Sequence, residues 1–261
     1  MASQLAAAGE KSKPPLPASY RHRTYRHRVD PAGLHAFTVQ VRETDLHILA
    51  DRELFQTAQD TVFLLRSQLE AYILEHPAFL PSLMPLPDDP TAPPVVKNML
   101  RAGLVTAVGP MAAVAGAVAE LVGQALLDAG ASQVVVENGG DIFLSRAQEC
   151  TVAIFAGVSP LSNRVGLILK PEQMPLGVCT SSASVGHSLS LGNADAITVL
   201  ARSTALADAA ATRIGNAVLP GGGLAPAMEI ARLLPGISGA VVIRGEELAA
   251  WGGVELTPLA G

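Results

Sequence analysis

The chain has 261 residues, enough for one large domain or two small ones, and 49% of them are hydrophobic while 16% are charged. This composition excludes a disordered protein and a charged coiled coil. Residues 1–30 hold six basic residues and two acids, so the remaining chain carries 12 basic against 21 acidic residues, with 4% aromatic residues overall. An acidic body with few stacking side chains predicts no nucleic-acid partner.

The N-terminal segment and the cysteines indicate a cytoplasmic protein. Residues 1–20 are rich in Ala, Lys and Pro and contain no apolar stretch, so we expect an extended or disordered tail without a secretory signal. Cys150 and Cys179 have neither zinc-ligand nor disulfide-framework spacing, and they are predicted as small buried side chains. Residues 102–119 are uncharged, but Gly109-Pro110 interrupts them, so a buried helix is expected and no membrane partner.

In the first half, period-two alternation around Phe37 and Ile48 predicts a hairpin. An apolar stripe at helical spacing then runs from residue 54 to residue 73, and His76-Pro77 ends it. Residues 81–94 contain six prolines and predict an extended crossover without regular structure. Helical character resumes by residue 111 and ends before Gly130.

A second hairpin closes this half, because apolar triplets flank Asn138-Gly139, a dipeptide suited to tight turns. In the second half the same order of elements is predicted, with strands at 152–155, 165–169 and 196–200, helices at 205–218 and 225–234, and strands at 239–243 and 248–251. The fold class is therefore α+β, with two β-β-α-α-β-β halves whose antiparallel sheets each carry a helical layer. The predicted halves are residues 21–146 and 147–261, within one integrated domain.

Two short segments carry candidate binding residues. Asn138, Gly139, Gly140 and Asp141 form a turn whose glycines allow a ligand close to the backbone, although on the dipeptide alone a plain hairpin turn is the favoured explanation. Hydroxyl groups suited to phosphate or ribose oxygens lie near one imidazole at Thr180, Ser181, Ser182 and His187. A serine nucleophile with His187 as base and Asp195 as its orienting acid is a lesser alternative, because the sequence has no G-x-S-x-G elbow.

Two helices carry the other candidates. Asp208 and Thr212 are four residues apart and therefore share one helix face, where their oxygens form a half-site suited to Mg²⁺. The alternative is that Asp208 only stabilises the helix dipole. The small residues at 109–117 permit either close helix packing or ligand approach to a helix N-terminus.

The order of these segments resembles that of ApbE, the family of FAD:protein FMN transferases. The matching segments are the small-residue helix at 109–120, the turn at 138–141, the hydroxyl cluster at 180–182, His187, and the helix at 207–212. The runs GPMAAVAGA, VENGGD, CTSSASVGHS, NADA and LADAAAT are similar to an uncharacterised family that forms a branch of the ApbE-like superfamily. This resemblance extends from about residue 20 to the C-terminus.

The resemblance implies two tandem T-fold-like halves and a Mg²⁺-dependent pocket for FAD or FMN. Asp208 and Thr212 would ligate the metal together with a backbone carbonyl near Ala112, and the glycines at 139–140 would line the pocket. His187 and Asp208 are the implied catalytic residues. The parent reaction passes FMN from FAD to a Ser or Thr of an acceptor protein and releases AMP.

The chain departs from the transferases where they carry a lysine-glycine-tyrosine stretch, since it has Ala115-Gly116-Ala117 there. The run that follows the transferases' histidine is also different. The leading hypothesis is therefore a Mg²⁺-dependent pocket for a flavin nucleotide or another phosphate ester, with FMN transfer as its activity. The alternative is a non-catalytic flavin or metabolite binder of the same fold. A monomer or homodimer is expected.

Overall fold

The structure is a computed structural model that describes residues 33–182 and 192–259. Its strands are β1 His35–Val41, β2 Thr44–Ala50, β3 Val134–Asn138, β4 Asp141–Ser145, β5 Cys150–Ala153, β6 Val165–Leu169, β7 Leu176–Ser181, β8 Ala196–Ala201, β9 Ile237–Arg244, β10 Glu247–Gly252 and β11 Glu255–Pro258. Its α-helices are α1 Phe55–Glu75, α2 Pro94–Thr106, α3 Val114–Asp128, α4 Thr204–Gly215 and α5 Ala225–Leu233. Short 3-10 turns lie at Pro110–Ala113 and Pro171–Gln173.

Eight strands form one antiparallel sheet in the order β1-β2-β3-β4-β7-β8-β9-β10. The α+β class with antiparallel strands is confirmed. The two sheets expected from the sequence are joined into one, because β4 pairs directly with β7 through Asp141 to Leu144. We call this pairing of β4 with β7 the seam. Each side of the seam has two strands, a helical segment and two more strands, while the domain boundaries at 21–146 and 147–261 stay a prediction.

Different elements pack against the two faces of the eight-stranded sheet. The helices pack on one face, where the core contains Val136 from β3, Leu126 from α3 and Ile197 from β8. A separate three-stranded sheet of order β11-β6-β5 supplies the core of the other face, where Leu167 packs with Leu144. Because side chains alternate along a strand, residue parity decides which face each strand residue occupies.

The strands predicted at 152–155 and 165–169 exist, as β5 and β6, but they do not open the second half of the main sheet. They belong to the three-stranded sheet, and β7 is the first main-sheet strand beyond the seam. The prediction treated residues 180–182 as a hydroxyl-rich binding segment and missed β7. A strand buried on both faces has no polar alternation, which is why Leu176–Ser181 gave no strand pattern.

Helix α2 was missed by the prediction, which has helical character resume by residue 111 after the extended crossover at 81–94. It begins at Pro94 and ends at Thr106, where Ala107 takes a left-handed conformation at φ 57°. Proline is compatible with the first helical position, because the N–H that it lacks has no partner within the helix. The extended crossover therefore ends at Pro93, and the last proline of the run begins α2.

One helical stretch of the described chain, Pro110–Asp128, is long and apolar enough to cross a membrane by length and composition, with half of its window buried inside the fold. Its buried residues include Ala117, Val122 and Leu126, which belong to the core on the helical face. The helix thus has the packing of a core helix. Its end is close to the prediction, since α3 ends at Asp128 and Gly130 has φ +96°.

We predict that Gly123→Ala destabilises the protein by about 1–3 kcal/mol through overpacking. A Cβ on Gly123 of α3 would lie 2.1 Å from Cδ1 of Phe143, whose buried ring has little room to move. This cost opposes the helix-propensity gain of alanine. Urea unfolding measures the change, with Gly223→Ala as control because no atom lies within 4 Å of its added Cβ. Equal stabilities of the two variants would contradict the packing described here.

Candidate functional site

The site begins where α3 crosses α4 in backbone contact. The N–H of Gly116 donates a hydrogen bond to Oδ2 of Asp208 at 2.9 Å. A Cβ on Gly116 would lie 2.4 Å from the carbonyl oxygen of Thr204 and 2.8 Å from Cβ of Asp208. Only glycine permits this approach, and the alanines around Asp208 allow α4 to lie equally close to the sheet. The small residues at 109–117 therefore serve close packing at this point.

Asp141 approaches Asp208 from the sheet. It is the first residue of β4 and lies directly opposite Cys179 of β7, across the seam. Phe143, two residues further along β4, packs against Gly123 of α3, so Asp141 shares the face of the sheet that the helices cover. The two carboxyl groups belong to opposite sides of the seam.

Burial is the main cause of the raised pKa values of both acids. Burial raises the pKa of Asp208 to about 7, although the N–H groups of Gly116 and Ala115 partly oppose the rise. Burial also raises the pKa of Asp141 well above its ordinary value, and the neighbouring charges of Asp208 and Glu137 add to the rise. Two carboxyl groups this close in a site of low dielectric favour either a retained proton or a bound cation.

Cys179 lies between these acids. It is fully buried, and its Sγ donates a hydrogen bond to the carbonyl oxygen of Thr204 at 3.3 Å. Burial and the two carboxylates raise the pKa of the Cys179 thiol well above its ordinary value, so the sulfur stays protonated. The prediction of a buried cysteine holds for Cys179, whereas Cys150 is only half-buried. Both are free thiols.

The predicted turn lies beside the start of α3. Asn138 of β3 pairs with Asp141 of β4, so the two turn residues are Gly139 and Gly140, with φ of +69° and +121°. The turn is displaced by one residue from the expected Asn138-Gly139 pair. Nδ2 of Asn138 donates to the carbonyl oxygen of Ala115 at 3.1 Å, which ties the turn to the same helix that binds Asp208.

The predicted hydroxyl residues do not all lie on one face of the sheet. Ser181 is buried on the same face as Cys179, and its Oγ has no hydrogen-bond partner among the described residues. Thr180 has the opposite parity, and its Oγ1 is 2.9 Å from Oγ1 of Thr198 on β8, so its side chain lies on the other face of the sheet and its role in binding stays a prediction. Ser182 is the last residue before the gap, and His187 lies outside the described residues.

The remaining predicted metal ligands lie on elements that contact each other. Thr212 is buried one turn after Asp208 on α4, and Ala112 belongs to the 3-10 turn before α3, which packs against α4. Across 33–182 and 192–259, no three His, Cys, Asp or Glu side chains are grouped as a metal site. Any ligand set here would combine one or two carboxylates with hydroxyl and carbonyl oxygens.

Asp195, the orienting acid of the serine alternative, accepts a hydrogen bond from the N–H of Gly245 at 2.7 Å.

Sequence reasoning missed the pairing of the two acids. It treated Asp141 as part of a turn and Asp208 as half of a metal site, because the register of the seam has no local sequence signal. It also missed Glu120 of α3, which accepts hydrogen bonds from the start of α4. The only available signal was an isolated acid within an otherwise apolar helix.

We predict that Asp208→Asn raises the melting temperature of the metal-free protein more at about pH 8 than at about pH 5. The folded-state pKa of Asp208 is about 7 and its unfolded value about 3.8, so the carboxyl group destabilises the fold increasingly as pH rises from about 4 to about 7. Asparagine removes that charge and keeps an acceptor for Gly116. Each kcal/mol of unfolding free energy that the variant regains raises the melting temperature by about 2–4 °C.

Thermal unfolding in the presence of a chelator measures this difference, with Asp60→Asn on the exposed face of α1 as the control. The control variant should follow the wild-type protein at both pH values. An identical effect of Asp208→Asn at both pH values would contradict the buried, uncompensated carboxylate described above.

Comparison with known proteins places the chain in a family. Residues 26–230 match the family model described as AbpE bacteria. The UPF0280 protein of Methanocella arvoryzae is 42% identical over 213 residues, which cover 82% of this chain and 86% of that protein. The UPF0280 protein of Methanosarcina acetivorans is 42% identical over 217 residues, covering 82% and 85% of the two chains.

Solved structures of flavin transferases have the same fold. The apo form of the flavinyl transferase ApbE of Pseudomonas stutzeri matches with a TM-score of 0.57 and 16% identity, over 84% of this chain and 94% of that one. The flavin transferase ApbE of Vibrio cholerae matches with a TM-score of 0.53 and 12% identity, over 84% and 96%. The chain therefore belongs to the AbpE bacteria family, an ApbE-like branch that includes these UPF0280 relatives.

Proposed function

We propose that the chain binds Mg²⁺ and the phosphate groups of a flavin nucleotide or related phosphate ester between Asp208, Asp141 and the Gly139-Gly140 turn. One observation carries this proposal: Asp208 is 9% exposed, is held by the N–H of Gly116, and lies close enough to Asp141 to raise its pKa. Among the ion pairs of residues 33–182 and 192–259, none involves either acid. A cation would supply the missing positive charge.

The donors available at this site suit Mg²⁺. This ion prefers oxygen ligands and is usually held by one or two carboxylates, with waters and substrate phosphates completing its shell. Asp208 and Asp141 supply carboxylates, Thr212 a hydroxyl group, and the turn at Ala112 a backbone carbonyl. Cys179 stays protonated and does not offer a soft thiolate that would favour another metal.

The two flavin transferases of the same fold support a flavin nucleotide as the ligand. When bound, Mg²⁺ would neutralise the phosphate oxygens and polarise the phosphorus atom. The glycine N–H groups at 139 and 140 would face anionic oxygens, and the unpartnered hydroxyl of Ser181 would donate to the ligand. These groups position the phosphates and leave the flavin ring to other parts of the chain.

We propose FMN transfer as the reaction of this site. A hydroxyl oxygen of a Ser or Thr acceptor would bond to the flavin-side phosphorus of FAD while the bond from that phosphorus to the bridging oxygen breaks. AMP leaves with the bridging oxygen, and the proton of the acceptor hydroxyl passes to His187 as the proposed base. Asp208 acts by holding the cation against the phosphate groups.

Binding without turnover is the second candidate, and the local structure of α3 favours it. Ala115 and Ala117 provide neither an ammonium group nor an aromatic ring, and the carbonyl of Ala115 is engaged by Asn138. This turn of α3 therefore contributes packing, the Gly116 N–H that binds Asp208 and one backbone acceptor, but no side-chain group for a ligand. The cytoplasmic location and the monomeric or homodimeric state also remain predictions.

We expect FAD or FMN with Mg²⁺ to raise the melting temperature of the protein, and Asp208→Asn to abolish the Mg²⁺-dependent part of that rise. A ligand that binds only the folded state adds about 2.7 kcal/mol at a hundred times its Kd. Differential scanning fluorimetry with FAD, FMN, ADP and a CoA-type compound, each with and without Mg²⁺, measures the effect. Asp60→Asn serves as the control and should keep the full response. A melting temperature that none of these ligands changes would contradict the proposal.

An assay of the same protein variants distinguishes FMN transfer from binding without turnover. After incubation with FAD, Mg²⁺ and candidate acceptor peptides, release of AMP that requires Asp208 supports FMN transfer. Retention of the flavin without AMP supports the binder. Chromatographic quantification of AMP, with Asp60→Asn again as control, distinguishes the two.

A further inference from the structure

The first turn of α4 is held by a carboxylate that comes from α3. Oε2 of Glu120 accepts hydrogen bonds from Oγ of Ser203 and from the N–H of Ala205, each at 3.1 Å. Ser203 is the N-cap of α4, and its own Oγ accepts from the N–H of Leu206 at 3.3 Å. An acid at a helix N-terminus also interacts favourably with the helix dipole. Glu120 thus extends the capping of α4 from a neighbouring helix.

Glu120 and Gly116 together attach α3 to α4 at two points. They are four residues apart on α3 and therefore lie on one face, one turn from each other. Gly116 binds Asp208, and Glu120 binds the residues that begin the same helix. Without Glu120, the first turn of α4 would keep its contacts with Gly116 of α3 and Cys179 of β7 but would have more freedom to shift, which would redirect Asp208. The second attachment removes that freedom.

We propose that Glu120 is a positioning residue, which fixes the start of α4 so that Asp208 points toward Asp141 with the geometry that Mg²⁺ requires. This inference rests on the proposed function only in its reference to Mg²⁺. Glu120 would act through Ser203 and Ala205, without contact to the metal or the phosphate ester. Groups that orient a metal ligand through hydrogen bonds commonly control metal affinity.

The test compares Glu120→Ala, which removes the acceptor, with Glu120→Gln, which keeps an acceptor oxygen at the same distance along the side chain. Calorimetric titration of the full chain with MgCl₂ should show affinity reduced by about tenfold or more in Glu120→Ala. Glu120→Gln should stay near the wild-type affinity. Glu120→Asp, which keeps the charge but withdraws the oxygens, should fall between them and replaces the alanine variant if that variant does not fold.

A matched control separates positioning from a general loss of stability. The carboxylate of Asp51 likewise joins two elements, since it accepts hydrogen bonds from the N–H and Oγ of Ser132, in the segment between α3 and β3. Asp51→Ala removes a comparable carboxylate link away from Asp208. It should lower the melting temperature while leaving the affinity for Mg²⁺ unchanged.

A spectroscopic readout does not require the metal. In a ¹H–¹⁵N spectrum without Mg²⁺, the amide proton of Gly116 reports its hydrogen bond to Asp208. This resonance should move upfield in Glu120→Ala and stay in place in Glu120→Gln and Asp51→Ala. An unchanged resonance and unchanged Mg²⁺ affinity in folded Glu120→Ala would overturn the proposal. If the resonance moves but the wild-type protein binds no Mg²⁺, the positioning of Asp208 stands and the proposed function fails.

Discussion

The closeness of α3 and α4 at Gly116 is the constraint on which the site depends. A glycine lets the two backbones meet, and the N–H that this contact exposes binds the Asp208 carboxylate. Any larger side chain at 116 would push α4 away from α3, and on β7 Gly177 likewise allows close approach to Thr204 of α4. The position of Asp208, the candidate metal ligand, thus depends on the absence of side chains at Gly116 and Gly177.

This packing has an electrostatic cost. It encloses two carboxyl groups near a fully buried thiol, and burial raises the pKa of all three groups. A protein selected only for stability would replace Asp208 or Asp141 with an apolar residue of similar size. Carboxyl groups with pKa values raised by burial and by neighbouring charge are common at functional sites, which makes this region the candidate binding site.

Local sequence signals predicted much of the fold. The hairpins, α1, α3, α4 and α5 follow from periodicity and turn residues, and the pair Asp208 and Thr212 follows from helical spacing. Long-range pairing was not accessible in this way. The register that sets Asp141 opposite Cys179 has no local pattern, and Thr180 was grouped with Ser181 because strand parity cannot be applied to an unrecognised strand. The start of α2 at Pro94 was missed for a different reason, since proline disrupts a helix interior but is compatible with the first helical position.

The seam has a consequence for cooperativity. Asp141 reaches the site from one side of it, whereas Cys179 and Asp208 come from the other, so neither half of the main sheet contains both acids. A ligand that bridges the two carboxylates would act as a clamp across the middle of the sheet. Unfolding of either half would then have to release that ligand. Occupancy of the site would thereby couple the two halves into a single unfolding unit.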